Sequence, residues 1–318
     1  MAGTQDQDWG NYWQGRAASE AGTALLGAAI ETDAAIARLW AGVFDPRPAT
    51  TRLVDLACGA GTALKAAHRA GLTDLTGIDI AAEAISVLGR DLPSAKGLVA
   101  SAHSTGLASG GFDLVVSQFG LEYAGLQRAA VEVARLLAPG GAFAALIHLK
   151  DGAIAAECAA KLDELNALRD ARFIAKAKKL FRALYASDGN TAQAAIDRAN
   201  RAVTDFKPAM DRVQAMAAAQ GSNSLAAHLY NGTARLYERR LAYSLSDVEG
   251  WLTAMTGEIA AYRGRMDSML DSAQHEAGIR SALEVLRAAG FAPVEPQRIT
   301  LRDGAAPAAW WVRAGATT

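Results

Sequence analysis

The chain has 318 residues, enough for one large domain or two modest ones. Apolar residues make up 51% of it and charged residues 20%, and the formal net charge is −1 with no block of like charges. That balance excludes a polyanion as the expected partner, because nucleic-acid binding leaves a basic footprint. The apolar stretch Gly22 to Ile30 is too short to span a bilayer, and the polar leader with Asp6 and Asp8 does not resemble a signal peptide. Two cysteines, Cys58 and Cys158, form no metal spacing. The expectation is a reducing, cytoplasmic setting with no membrane segment and no metal.

Trp9, Tyr12 and Trp13 cluster in the leader. Leu25, Ala29, Thr32, Ile36, Leu39 and Val43 then keep three- and four-residue spacing, which predicts a helix from about Arg16 to Val43. Asp45-Pro46-Arg47-Pro48 ends it. From Thr51 to Lys150 strand and helix signals alternate, which implies a parallel sheet covered on both faces. The predicted strands are Arg52 to Ala57, Leu75 to Asp79, Gly97 to Ser101, Phe112 to Ser117 and Ala142 to Leu149, with helices Ala63–Ala70, Ala81–Leu88 and Gln127–Leu137 between them. Leu114-Val115-Val116 and Ala144-Ala145-Leu146-Ile147 read as apolar runs, as strands buried on both faces do.

Residues 151 to about 289 lose the strand signals, and alanine, arginine and leucine dominate. The expected helices run from Ala153 to Ala186, from near Ile196 to a stop before Pro208, from Met210 to Gln220, and from Leu225 to Tyr243 with Ser224 as cap. Ser246 and Glu249 predict a capping box. The helix it opens carries Val248, Leu252, Met255, Ile259, Tyr262, Met266 and Met269 as a narrow seam, so a helical hairpin or small bundle is expected. A last helix, Gly278 to Ala289, leads to strands near Pro293–Leu301 and Ala308–Arg313.

The chemistry-bearing stretch is Val54-Asp55-Leu56-Ala57-Cys58-Gly59-Ala60-Gly61-Thr62: strand, glycine turn, helix start. Without a Cβ at Gly59 and Gly61 the backbone bends sharply and a ligand can lie against it. The helix aims its free N–H groups at the turn. The next strand ends at Asp79, where a carboxylate can accept hydrogen bonds from both hydroxyls of a ribose. Together these describe a nucleoside site. A dinucleotide fingerprint would place a third glycine where Leu64 stands.

The form Asp55-x-x-Cys58-Gly59-x-Gly61 instead resembles the first motif of the S-adenosylmethionine-dependent methyltransferases with a Rossmann-like fold. Gly111 to Ser117 is similar to that family's fourth strand, and Leu136-Leu137-Ala138-Pro139-Gly140-Gly141 to the Pro-Gly-Gly turn before its fifth. The resemblance covers roughly residues 50 to 150 and, more faintly, the end of the chain. It implies an α/β fold: a doubly wound, mostly parallel seven-stranded Rossmann-like sheet built from 51–150 and 278–318. It also implies an N-terminal helical lid over 1–50 and a large all-helical insertion, 151–277, after the fifth strand. That insertion is read as a substrate cover; a homodimer contact or a purely structural bundle is compatible with the same residues.

The resemblance also implies roles. Asp55, Ala57, Gly59 and Gly61 match the motif that meets the methionine end of S-adenosylmethionine; Asp55 could instead cap the turn. Asp79 matches the ribose acid and Ile80 the apolar neighbour of adenine. The family's acid after the third strand is replaced by Ser101, followed by Ala102 and His103, so the adenine contact could pass to backbone or to His103. Ser117, Gln118 and Phe119 stand where cofactor contacts near the methyl are made, and Tyr12 or Trp13 could face the sulfonium from the lid. For the acceptor, His148 is the candidate base, and Glu122 and Tyr123 the candidate substrate contacts. Arg239, Arg240, Arg263 and Arg265 are read mainly as solvated or salt-bridged helix faces. The implied reaction is methyl transfer to a small-molecule oxygen, nitrogen or carbon nucleophile, giving S-adenosylhomocysteine. A protein or peptide methyltransferase and a non-methylating cofactor-binding protein are the alternatives.

Overall fold

The computed structural model describes residues 34–221, 224–301 and 305–316. Tyr12, Trp13 and most of the expected lid lie outside them. By backbone contacts, the described residues up to Ala159 form one compact unit with those from Arg265 onward, and Ala160–Gly264 forms another. Among the described residues no helix is long and apolar enough to cross a membrane.

The first unit is an α/β domain. Its strands are β1 (Arg52–Leu56), β2 (Asp74–Asp79), β3 (Lys96–Val99), β4 (Phe112–Gln118), β5 (Leu137–His148), β6 (Phe291–Ile299) and β7 (Ala309–Ala316). They form one seven-stranded sheet in the order β3-β2-β1-β4-β5-β7-β6. The first five run parallel, and β7 is antiparallel to both β5 and β6. Helices α1 (Ala34–Phe44), α2 (Thr62–Arg69), α3 (Ala82–Asp91) and α4 (Leu126–Leu136) belong to this unit, as does the helix Glu276–Ala288. The order reverses direction between β1 and β4, which opens a crevice at their carboxyl ends.

Side chains alternate across each strand, so neighbouring residues enter different cores. Val54, Leu56, Val115, Ala145, Ile147 and Val312 join α4 and Glu276–Ala288 on one face. Leu53, Leu114, Val116, Ala144, Leu146 and Trp311 join α1 and α2 on the other. This is why the strands read as unbroken apolar runs. The strand β5 extends further back than expected, because Leu137 pairs with Phe112 across an irregularity that takes up the Pro-Gly-Gly turn.

The described part of the leader helix is core. Ile36, Trp40 and Phe44 are buried, Trp40 stacks on Phe44 at 5.3 Å, and its ring meets Trp311 edge-on at 5.2 Å. The expected stripe through Leu39 and Val43 flanks this face and is only partly buried.

The helical part of the chain departs from the expected boundaries where sequence punctuation misleads. The single helix expected from Ala153 to Ala186 is two, α5 (Ala153–Asp170) and α6 (Phe173–Ser187), broken at Arg172. Arg172 takes a left-handed φ of 52°, and neither glycine nor proline marks the spot. The stop expected before Pro208 does not occur. Helix α7 (Gln193–Gln220) runs through the proline, with Phe206 and Ala209 buried on either side of it. Losing one backbone hydrogen bond is tolerated where the packed face continues. Ser224 caps α8 (Leu225–Glu238), its oxygen accepting from the Ala227 N–H at 3.1 Å. The capping box of α9 (Leu245–Ser272) is Ser244 with Asp247, not Ser246 with Glu249. The Asp247 carboxylate accepts from the Ser244 N–H at 2.9 Å, and the Ser244 hydroxyl oxygen accepts from the Asp247 N–H at 3.1 Å. Along α9 Val248, Leu252, Met255, Tyr262 and Met269 are buried, as the seam requires, while Ile259 and Met266 are half-buried. Within 160–264, Arg240 pairs with Asp188 and Arg263 donates to Asn166 at 2.9 Å, so both basic groups are engaged.

If α1 is part of the sheet domain's core, Trp40→Ala should lower unfolding stability by about 3–5 kcal/mol. Urea denaturation of the full chain measures it.

Candidate functional site

The expected site residues among those described gather at the carboxyl ends of β1 to β5. The β1 end is strained. Ala57 takes a φ of 55°, Gly59 53° and Gly61 77°. The left-handed φ at Gly61 favours glycine, and a Cβ there would lie 2.4 Å from Leu88 Cδ1 and force that side chain to shift. Across the crevice Phe119 takes a φ of 55°, and a Cβ on Gly120 would come within 2.6 Å of the Ala57 carbonyl oxygen. Two strand ends thus pass each other at backbone contact, and non-glycine residues there accept an uncommon conformation.

Asp79 holds the glycine turn. Its Oδ2 accepts from the Gly59 N–H at 2.8 Å and its Oδ1 from the Ala81 N–H at 2.9 Å. Burial pushes its carboxyl pKa upward, and these backbone hydrogen bonds oppose the push. Two acceptor oxygens hold about four lone pairs, more than these backbone donors fill. Beside it Ile80 is 48% exposed, an apolar side chain open at a strand end.

Asp55 behaves differently. It is 1% exposed, its Oδ1 has no hydrogen-bond partner among the described residues, and it does not cap the turn. Burial, and then the charge of Asp79, push its pKa well above the usual carboxylate range. An orphaned buried acceptor is costly, and an incoming cationic or N–H donor would satisfy it. Cys58 is a buried packing residue whose thiol burial pushes well up.

The other expected cofactor residues are arranged in two groups. At the end of β3, Ser101 Oγ and His103 Nδ1 lie 2.8 Å apart, and Ala102 is buried between them. At the end of β4, the Ser117 hydroxyl is buried and donates to the Leu56 carbonyl at 2.7 Å, which stitches β4 to β1. Gln118 Oε1 accepts the Trp40 indole N–H at 2.6 Å, and Phe119 stacks on His148 at 4.6 Å. Sequence reasoning did not single out Trp40. Its spacing of four from Ile36 and Phe44 marked a packing face, but nothing local linked it to Gln118.

The three acceptor-side candidates come together. His148 Nδ1 lies 2.7 Å from Glu122 Oε1, which also accepts the His148 backbone N–H at 3.0 Å. Glu122 Oε2 is buried without a partner among the described residues. Tyr123 meets the His148 ring edge-on at 6.1 Å, and burial, then the charges of Glu122 and Cys158, push its phenol pKa well up. A small apolar gap lined by Leu121, Leu126, Ile147 and Ile279 is hydrocarbon throughout, and offers nothing to a polar ligand.

This geometry belongs to a stretch of known kind: residues 54–145 match the family model described as a methyltransferase domain. The chain carries a methyltransferase domain. The sequence motifs of that stretch imply S-adenosylmethionine as its cofactor. No curated protein matches the chain. Among solved structures, the chain is similar to an S-adenosylmethionine-dependent methyltransferase from Mesorhizobium loti at 25% identity and a TM-score of 0.32, over 36% of this chain and 53% of that one. It is also similar to geranyl diphosphate C-methyltransferase from Streptomyces coelicolor A3(2) at 11% identity and a TM-score of 0.44, over 89% and 78–79% of the respective chains. The first two solved structures it matches are spanned over 50% and 59% of their length. At TM-scores below 0.5 nothing about a substrate follows from these likenesses.

The residues of the methyltransferase domain fit its cofactor: a glycine turn open to a ligand, a carboxylate with spare lone pairs beside it, and an orphaned acid behind. The orphaned acid has a cost that depends on pH. Because burial raises the Asp55 pKa, the folded chain keeps a proton that the unfolded chain releases near pH 4. Stability attributable to Asp55 is therefore fully present below that pH and falls as pH rises toward the raised folded pKa. Asp55→Asn should leave ligand-free stability unchanged near pH 3.5 and raise it at pH 7. Thermal unfolding across that range measures the difference.

Proposed function

We propose that this protein transfers the methyl group of S-adenosylmethionine to a small-molecule acceptor with an oxygen, nitrogen or carbon nucleophile, leaving S-adenosylhomocysteine. The observation that carries the reading is the pairing of Asp79 with Asp55 at the strained β1 turn. Asp79 clamps the turn and retains acceptor capacity for ribose hydroxyls. Asp55 Oδ1 is a buried acceptor with no partner among the described residues, suited to the ammonium of the methionine end. Ile80 and Ala102 would border adenine, with the Ser101–His103 pair beside them. Gln118 and Phe119 would stand nearest the methyl group. Leu64, fully buried in the core, occupies the third glycine position of a dinucleotide site and speaks against a nicotinamide cofactor.

When bound, the cofactor supplies an electrophilic methyl on a sulfonium whose leaving group is a neutral thioether. No acid is needed for departure. The chain's task is to hold the acceptor on line, where effective molarities reach about 10⁵–10⁸ M. Residues 151–277 are read as the acceptor's cover and as the region of any homodimer contact. Their support is their place in the chain, directly after His148 and its strand.

Calorimetry with S-adenosylhomocysteine and with NAD tests the cofactor, and labelled S-adenosylmethionine against a metabolite extract tests the transfer. S-adenosylhomocysteine should bind and NAD should not. Asp79→Ala should weaken S-adenosylhomocysteine binding by about 1–3 kcal/mol through loss of charge-assisted hydrogen bonds. Unchanged affinity in a folded variant removes Asp79 from the site.

A further inference from the structure

The turn after β3 carries a hydroxyl and an imidazole at the ligand end of the sheet, and neither has a fixed hydrogen-bond polarity. We propose that Ser101 and His103 read the 6-position of the cofactor's purine reversibly, so that the protein accepts its cofactor with a 6-oxo purine, hypoxanthine, as well as with adenine. The inference rests on the methyl-transfer reading above and concerns which bases its cofactor site admits.

Placement comes first. Ala100 gives its N–H to the Asp79 carbonyl at 3.0 Å, so the turn starts beside the acid assigned to ribose. The Ser104 N–H donates to the Ser101 carbonyl at 3.0 Å and closes the turn. Ala102 joins the core, and Ser101 and His103 on either side of it are half-buried. Past the turn, the Thr105 N–H and hydroxyl donate to Glu132 Oε1 at 2.8 and 2.6 Å, which anchors the loop to α4. A pair supported in this way holds its geometry when a ligand arrives. Ser101 Oγ and His103 Nδ1 stand 2.8 Å apart, and among the described residues neither side chain has another hydrogen bond. The stretch Ala100-Ser101-Ala102-His103-Ser104-Thr105 contains no acid. The carboxylate of Glu132 is engaged by Thr105 and by Arg135, whose Nε donates to Oε2 at 2.8 Å.

The selectivity follows from what each group can give. An ionised carboxylate only accepts, so it suits a 6-amino group and repels a 6-oxo group. A hydroxyl and a neutral imidazole each donate and accept. When the hydroxyl donates to Nδ1, the imidazole proton is on Nε2; Oγ then turns lone pairs outward and Nε2 offers an N–H. When Nδ1–H donates to Oγ, the hydroxyl hydrogen turns outward and Nε2 offers a lone pair. One tautomer change and one hydroxyl rotation connect the two states, and no heavy atom moves. The purine edge reverses in the same sense. Adenine donates at its 6-amino group and accepts at N1; hypoxanthine accepts at its 6-oxygen and donates at N1. Either base therefore meets a matching partner. A site of fixed polarity rejects the unmatched analogue, because its polar groups are left unpaired. Ile80, 48% exposed, offers the same apolar surface to both rings, so the choice falls to the polar pair.

The test uses the full chain with S-adenosylhomocysteine and its deaminated counterpart, S-inosylhomocysteine. Calorimetry should give dissociation constants within about tenfold of each other; a preference for adenine beyond about tenfold overturns the proposal. Nitrogen-15 NMR of the imidazole, assigned with His103→Gln, should show Nε2 protonated in the first complex and Nδ1 protonated in the second. The same tautomer in both complexes overturns it. Ser101→Asp should keep S-adenosylhomocysteine affinity within about tenfold of wild type and weaken S-inosylhomocysteine by about 10–100-fold. An unchanged ratio in a folded Ser101→Asp variant removes Ser101 from the purine edge; if that variant does not fold, the two wild-type measurements decide. Binding of S-adenosylhomocysteine with refusal of the deaminated form leaves the methyl-transfer reading standing and sinks this one. Failure of the wild type to bind S-adenosylhomocysteine removes the cofactor reading, and this inference with it.

Discussion

One carboxylate closes the sheet domain's ligand end. Asp79 reaches from the tip of β2 to the Gly59 N–H of the neighbouring turn and to the Ala81 N–H that precedes the next helix. Two loops that would otherwise present bare backbone donors to solvent are held by the same side chain. The left-handed Gly59 has a fixed partner because of it, while Gly61 donates to the Cys58 carbonyl at 2.8 Å within the turn. Asp55, directly behind, meets the electrostatic consequence: a second buried acid, raised in pKa, whose Oδ1 has no partner among the described residues. The ligand end of this fold is accordingly stable as a shape while incomplete in its hydrogen bonding.

The same division recurs at the other side of the crevice. The Ser117 hydroxyl ties β4 to the Leu56 carbonyl, and Gly120 lets the chain turn against Ala57 without a side chain between them. Past that point come Phe119, Glu122 and, from β5, His148. The Asp79 clamp thus stands after β1 and β2, and the Glu122–His148 contact after β4 and β5, on either side of the switch in strand order.

Much of this was legible in the chain. Glycine positions, the acid at the end of β2 and the apolar runs are local signals, and local signals fix the first five strands and the closing hairpin. What escaped was set by tertiary contact. The break at Arg172 has no breaker residue, and the passage of α7 through Pro208 defies one, because packing on both sides outweighs a single missing hydrogen bond. Ser244 won over Ser246 as cap because Asp247 answers it reciprocally, a choice two similar sequence patterns could not separate. Glu122 and His148 were each visible as candidates. That Glu122 faces the imidazole could not be read, since the two are joined only by the pairing of β4 with β5.

The long helical excursion departs from the sheet just after His148 and comes back at Gln274. Its two ends are sewn together there: Gln274 gives its N–H to the His148 carbonyl at 2.8 Å and takes the Lys150 N–H at 3.0 Å and the Trp310 indole N–H at 2.9 Å. A clasp of this kind makes the intervening stretch a cassette. Insertion or deletion within it can change its length while the sheet keeps its own closure.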